Sequence, residues 1–516
     1  MRKRDPFLVT FDHNDTEDPR EFPAWRKWQI IIIAFTLEVW ANVISAAVVP
    51  GIEALAADLD VSVPKARVVQ AIFLYGFAIG AVTLTPISED YGRWPTHVVS
   101  VFLVGIFQIP CALAPNFATV VVFRFLAGFF AATTFNAVGI VSDMWDPESQ
   151  GMAVNSFAFA AEFGIVIGPI IGGYTYVSVG YRWIFGVLGL GTAFFLLLWI
   201  LTCPETRAGI ILTRRAKRKR KETGDSRWHS HHELAMRERS FRTVVQETVF
   251  RPVYMLFREP IVLWFALFDG FNYAIIYLFL EAIPLIYKQY NWSEGALNLP
   301  FLALLVGVLI AYFLYPVQMA AERREARKNN GEMPPEARLL WMLPGAVLFP
   351  ASLFWFAWTS RPPIPWIVSC LATAMFGISS HIIFISVSDY TIASYSIYSA
   401  SAVGAQSLLR EILSGSVTFV SEPMYHNLGY QWASSTLAFI ALVLAMLPPL
   451  LYFFGPQIRA KSAFALEIAQ AEARARVDKQ DARDAYEAEQ ESKLNEARQG
   501  QSHAPAEFQD QDTPAN

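Results

Sequence analysis

The feature that most restricts this chain is a kind of run rather than a motif. "WQIIIIAFTLEVWANVISAAVVP" (Trp28–Pro50) and "WIFGVLGLGTAFFLLLWIL" (Trp183–Leu201) are each close to twenty residues long and nearly free of charge. A helix needs about 20 apolar residues to cross ~30 Å of hydrocarbon. Runs of this kind begin near Trp28, Ala66, Thr96, Phe117, Met152 and Trp183, then again near Ile261, Ala296, Leu339, Pro365, Ile397 and Tyr430. Roughly twelve spans follow, six on each side of a polar stretch. Composition agrees: 54% of residues are hydrophobic and 17% charged, against ~45–50% and ~25% in soluble domains. The chain reads as an all-α polytopic membrane protein.

Five segments are expected: an N-terminal cytosolic segment (1–27), a six-helix bundle (28–203), a basic central loop (204–260), a second six-helix bundle (261–454) and a charged tail (455–516). The central stretch "RAGIILTRRAKRKRKETGDSRWHSHHELAMRERSFR" is dense in Arg and Lys, which the positive-inside rule places in the cytosol together with both termini. The basic "ERREARK" (Glu322–Lys328) falls on the same side in a twelve-span count. The N-terminus is too charged for a signal peptide. The tail from Lys461 to Gly500, without a sustained apolar stripe, reads as a solvated helix. Cys111, Cys203 and Cys370 lie in or beside apolar runs and are expected to stay unpaired.

The stretch "GIVIGPIIGG" (Gly164–Gly173) has the glycine density of a phosphate loop, but it lies inside the fifth span, where a phosphate would be stranded in hydrocarbon. "GPQIRAKS" (Gly455–Ser462) comes nearer the phosphate-loop pattern yet has Ala460 at its second glycine and no strand before it. A motor driven directly by ATP is therefore not expected, and no nucleophile, base and metal constellation suggests an enzyme. Gly164, Gly168 and Gly172 recur every fourth residue, a ridge on which another helix can lie close, and Pro169 bends the helix.

These residues also carry a resemblance. Gly164, Gly168, Pro169, Gly172 and Gly173 resemble the antiporter signature of the fifth helix in the major facilitator superfamily. "PISEDYGRWP" (Pro86–Pro95) is similar to the family's loop between helices two and three, with Gly92 and Arg93 matching, Glu89 standing where many members have Asp, and Asp90 beside it. "RFLAG" (Arg124–Gly128) is similar to the fourth-helix signature, and "PETRAG", "YLFLEAIP" and "SASAVGAQSLLRE" narrow the likeness to fungal drug:proton antiporters, the group of multidrug, polyamine and secondary-metabolite exporters. The resemblance implies two pseudo-symmetric six-helix halves of inverted three-helix repeats, with a site between them near the midplane. It also implies a gating role for the Glu89–Arg93 stretch and ties Arg124 to proton coupling.

Ionisable groups at bilayer depth cost about 2.5 kcal/mol or more, so each is a candidate for function. Glu38, Asn42 and Ser45 form a polar stripe on the first span that either faces a cavity or packs a neighbouring helix. Glu162 stands two residues before the glycine ridge. Asp269, Asn272, Tyr273, Tyr277 and Glu281 lie three to four apart along the seventh span; Glu281, near its outer end, is either a family match or simply solvated. Arg410 and Glu411, being adjacent, are expected to point apart and not to neutralise each other. His381 is either a proton relay or an ordinary hydrogen-bonded histidine. Trp40, Phe135, Tyr273 and Tyr277 are candidates to line a cavity for flat or amphipathic compounds.

The expectation is a secondary active transporter that works by alternating access and expels a small organic compound in exchange for protons, with no cofactor beyond the proton gradient. An acid such as Glu38 or Asp269 would carry the proton, because burial penalises the charged carboxyl. The expected partners are a small-molecule substrate, protons and the lipid bilayer, not nucleic acid. The protein is expected to act as a monomer in the plasma membrane or, alternatively, the vacuolar membrane. The alternatives are a polyamine or other organic-cation carrier, a nutrient importer, and a non-transporting sensor.

Overall fold

In a computed structural model of the chain, residues 5–12, 15–145, 151–238, 240–328, 334–395 and 398–462 are described, with Phe464 and Glu467 beyond them. The charged tail lies almost wholly outside the described residues. Among those residues, eleven helical segments are long and apolar enough to cross a membrane. The last of them, Ser399–Arg459, has 61 residues, far more than ~30 Å of hydrocarbon requires. Gly429 breaks it with φ 76°, a backbone conformation that glycine adopts without a Cβ clash. Two passes result, and the described residues make twelve.

The spans are α1 (Ala24–Ala46), α2 (Val68–Tyr91), α3 (Arg93–Ala112), α4 (Phe117–Ala131, prolonged through a 3₁₀ turn by Ala137–Met144), α5 (Gly151–Val179) and α6 (Arg182–Thr202). After the central segment come α7 (Pro260–Lys288), α8 (Phe301–Lys328), α9 (Met342–Thr359) and α10 (Trp366–Tyr395), then α11 (399–428) and α12 (430–444), which Leu447–Arg459 extends beyond a turn. Local chemistry sets several ends. Asn116 caps α4, its side chain accepting from the Thr119 N–H at 2.9 Å. Pro260 opens α7, where its missing N–H costs no helical bond. The eighth helix starts at Phe301, five residues past the apolar onset at Ala296, because residues 294–300 form turns.

The two halves repeat one packing scheme. In the first half α1 lies along α5, α2 along α4 and α3 along α6; in the second, α7 lies along α11 and α8 along α10. Phe354 of α9 meets Phe439 of α12 edge-on at 5.0 Å, completing the series. The halves meet chiefly through α2 against α11 and α5 against α8. Burial follows this plan: in their most apolar stretches α1 and α7 are each 78% buried, whereas α6 is 28% buried. Leu190, Phe194, Leu201, Phe313 and Val347 are each more than 60% exposed, an outer surface that suits lipid and would not suit water.

Because lipid is as apolar as leucine, close packing rather than hydrophobic burial has to hold such helices together. The glycine ridge does so. A Cβ on Gly168 would stand 2.9 Å from the Ala46 Cβ and 3.2 Å from the Val43 carbonyl, and Cβ atoms on Gly164 and Gly172 would strike the carbonyls of Val39 and Ala47. All of these belong to α1 or its C-cap, so the ridge fastens α5 to α1 within the first half.

The basic central segment forms helices at Ala208–Thr223 and His231–Glu238. The N-terminal segment runs beside it: the Val9 N–H donates to the His229 carbonyl at 2.9 Å and the His229 N–H to the Phe7 carbonyl at 3.0 Å. Arg215 holds Asp15 at 2.5 Å and Glu17 at 2.7 Å. Its guanidinium keeps both carboxyls below the usual carboxylate range.

Candidate functional site

Two polar networks cross between the halves at mid-depth. In the first, Glu38 of α1 accepts from the Asn42 amide nitrogen at 3.1 Å. Its other oxygen lies 2.6 Å from the Thr134 hydroxyl, which is also 2.9 Å from the Ala131 carbonyl. A hydroxyl has one hydrogen to give, so this geometry suits either form of Glu38. Ionised, it accepts from Thr134; protonated, it donates to Thr134, which then turns to Ala131. The Asn42 oxygen accepts from the Tyr273 phenol of α7 at 3.2 Å, and Ser45 shares a bond of 2.8 Å with Tyr277. The α1 stripe thus faces the other half.

In the second network, Glu162 of α5 meets His381 and Ser380 of α10. Its carboxyl lies 2.7 Å from His381 Nδ1 and accepts from the Ser380 hydroxyl at 2.9 Å. Asn272 of α7 donates to that same hydroxyl at 3.1 Å.

Between the networks lies Arg410 of α11. Its guanidinium is 3.6 Å from Asp269 and 3.2 Å from Glu411, and it stacks over Tyr273 at 4.7 Å and Phe384 at 5.1 Å. Arg410 and Glu411 therefore do pair, contrary to the expectation from their adjacency. The arginine side chain is long enough to fold back along α11, so the direction of its Cβ does not decide where its charge ends. Asp269, Glu411 and the nearby Glu38 set three carboxyls against this one guanidinium, and all are buried. Unpaired charge at such depth is expensive, so the cluster favours bound protons or a cationic guest.

A cleft leads away from this cluster. Asp269, Arg410, Phe135 and Phe384 line its inner end, and Phe135, Val138, Val154, Ile392 and Val403 continue into a wider part of about 1210 Å³, counting space continuous with solvent. That part reaches Glu89, Arg93 and Arg207, on the face that carries the central segment. On the opposite face a second recess, about 1540 Å³ counting space continuous with solvent, ends against an ion-paired contact that closes the way inward. Arg67, at the start of α2, lies 3.3 Å from Glu281 of α7 and also binds Glu422 of α11. One turn or two deeper, Tyr75 bonds Ser416 at 3.0 Å. Glu281 is buried and ion-paired rather than solvated. Arg67 and Glu422 carry no local signal in the sequence, since their meaning depends on α2, α7 and α11 converging.

The Glu89–Arg93 stretch is organised within the first half. Arg93 is buried, 3.1 Å from Asp143 at the end of α4 and 3.6 Å from Glu89, and it donates to Ser88 at 2.7 Å. Glu205, just past α6, accepts from the backbone N–H groups of Arg93 at 3.0 Å and Trp94 at 3.3 Å. Gly92 has φ 109°, and a Cβ there would strike the Glu205 carboxylate, so the turn needs glycine twice over. Asp90 sits beside this cluster in the last turn of α2.

Arg124 stands outside the cleft. It donates to the carbonyls of Ile44 at 3.0 Å, Ser45 at 3.4 Å and Val69 at 3.2 Å and stacks on Phe73 at 4.4 Å. The first two acceptors are last-turn carbonyls of α1 that have no onward helical donor. Trp40 is also elsewhere, its indole donating to Thr192 of α6 at 3.0 Å. Gly173 faces the Asn298 amide near the sealed face.

Two six-helix halves related by repeated packing, with a charged cleft between them, define a membrane transporter. The chain belongs to the Major Facilitator Superfamily, whose family model matches residues 31–418. It is 36% identical over 466 residues to a citrinin biosynthesis cluster transporter of Monascus ruber, covering 89% of this chain and 93% of that one. It is 33% identical to a multidrug transporter of Aspergillus fumigatus, covering 90% and 76%. Among solved structures, the proton:xylose symporter XylE superposes with a TM-score of 0.59 at 16% identity, over 84% of this chain and 96% of that one. This last likeness speaks for the fold alone.

Proposed function

We propose that the protein is a proton-coupled exporter of small organic compounds. The carrying observation is the coexistence of a cleft open on the basic face and an ion-paired seal on the other. With the basic central segment cytosolic, this is the state that loads substrate from the cytosol. Glu38 is the coupling acid of this cycle, since its Thr134 relay accommodates either protonation state without loss of a hydrogen bond. The substrate is flat and amphipathic, held between Phe135 and Phe384 beside Arg410. The relatives named for a secondary-metabolite cluster and for multidrug transport support this class. The plasma membrane is the natural site for such export, and a single chain contains the complete cleft.

An organic-cation carrier is the second reading. It is favoured by Asp269 Oδ1, which is buried and accepts no hydrogen bond among the described residues. Uptake of citrinin, a planar acid, and of ethidium, a planar cation, into proteoliposomes under an imposed pH gradient tests both readings. Gradient-driven uptake that a protonophore abolishes is expected, and the preferred probe separates them. Uptake indifferent to the gradient for both probes would remove proton coupling.

A further inference from the structure

Pro316 interrupts α8. Proline has no N–H, so the carbonyl four residues earlier, that of Tyr312, loses its helical donor. Asn155 of α5 supplies one: its Nδ2 lies 3.3 Å from the Tyr312 carbonyl. That contact orients the amide, nitrogen toward α8 and oxygen away. The Asn155 oxygen then faces His381 Nε2 at 2.9 Å. An amide oxygen can only accept, so Nε2 carries a hydrogen.

The other ring nitrogen, Nδ1, lies 2.7 Å from Glu162 Oε2. An imidazole with its single hydrogen on Nε2 presents a lone pair at Nδ1, and an ionised carboxylate presents only lone pairs. Two acceptors do not settle at that distance, so a further proton belongs between them. The remaining Glu162 oxygen does not provide it: that oxygen accepts from the Ser380 hydroxyl, and a proton held there would point at Ser380, away from Nδ1. We infer that Glu162 and His381 hold one proton between Oε2 and Nδ1, forming a proton-binding site that bridges the two halves.

The site is distinct from Glu38. The orientation of its histidine traces back through Asn155 to a proline on a third helix. The surrounding charged and titratable groups are Asp269 of α7, three residues before the Asn272 that bonds Ser380, and Arg410 of α11, stacked on Phe384 less than one turn along α10 from His381. On α8 the Tyr312 phenol bonds Ser156 at 3.1 Å, and on α1 Glu38 belongs to the other network. Arg410 already has Asp269 and Glu411 as partners, so the bridging proton is the positive charge closest to Glu162. The site deepens the transport reading, because a proton held between moving halves must be carried or surrendered when they part.

The test needs neither substrate nor flux, so its failure is distinguishable from failure of the transport reading. The full chain, labelled with ¹⁵N-histidine, is placed in lipid nanodiscs at pH 7. The ring-nitrogen resonances of His381, assigned with His381→Gln, are read together with the infrared carboxyl bands assigned to Glu162 with Glu162→Gln. The expected result is a protonated Nδ1 beside an ionised Glu162, or a protonated Glu162 beside Nδ1. A lone-pair Nδ1 together with an ionised Glu162 in the native chain would overturn the inference. If the native chain shows a protonated Nδ1, Glu162→Gln should convert it to the lone-pair form. A Nδ1 that stays protonated in that variant would also overturn it, since the proton would not depend on the carboxyl.

Discussion

Arg67 of α2 and Glu281 of α7 approach to 3.3 Å across the interface between the halves, and Glu422 of α11 completes the contact. Neither helix could pair its charge alone, so the closing of the opposite face and the pairing of one guanidinium with two carboxylates are one event. Removing one partner of a buried pair typically costs about 3–5 kcal/mol, because the other charge is left uncompensated. In a background where Cys111, Cys203 and Cys370 are replaced by serine, Arg67→Ala should therefore raise the reactivity of Ser45→Cys toward an impermeant maleimide applied to the opposite face. Equal reactivity with and without Arg67 would show that the ion pair does not hold the seal.

Coupling is addressed by Glu38→Gln, which keeps the shape and the Asn42 contact but fixes the group neutral. Accumulation driven by a pH gradient should fall to that of protein-free liposomes, while substrate exchange persists. Asp269→Asn is the comparison. Normal gradient-driven accumulation in Glu38→Gln, with loss in Asp269→Asn, would transfer the role to α7.

The glycine ridge permits a sharper steric test. Gly168→Leu drives a side chain into Ala46 and Val43 of α1, and overpacking of this kind costs about 1–3 kcal/mol. The variant should insert but lose transport, with Gly168→Ala intermediate. Full transport by an inserted Gly168→Leu would mean that α1 and α5 do not need this closeness.

Orientation is checked at Ser226, exposed in the central segment. In the cysteine-free background Ser226→Cys should resist an impermeant thiol reagent in intact cells and react after permeabilisation. Labelling of intact cells would invert the topology.

The strap formed by Asp15, Glu17 and Arg215 should respond to acid. Both carboxyls are held below their ordinary range by the arginine, so their contribution is complete above the pH where free carboxyls titrate and is lost as pH falls through the lowered values. Limited proteolysis of the N-terminal segment should accelerate in strongly acidic buffer, and Arg215→Ala should show the fast rate at neutral pH. Identical cleavage of native and variant chains at neutral pH would refute the strap.

What the sequence alone determined was whatever depends on near neighbours in the chain. Twelve passes and the basic segment between two sixes follow from run length and charge placement, and the spacing of Gly164, Gly168 and Gly172 already describes a face where a helix can approach. The sequence likewise singled out Glu38, Glu162, Asp269 and Arg410, because an ionisable group among apolar neighbours stands out without any structure. Their partners were another matter. Arg410 with Glu411, Arg67 with Glu281 and Glu422, and Glu162 with His381 are set by how long side chains bend and by which helices the fold brings together, over separations of up to several hundred residues. Only the tertiary structure could decide that Arg124 ties off the end of α1 and that Trp40 turns toward α6. A local pattern tells which face of a helix is polar; it cannot tell which of eleven other helices that face will meet.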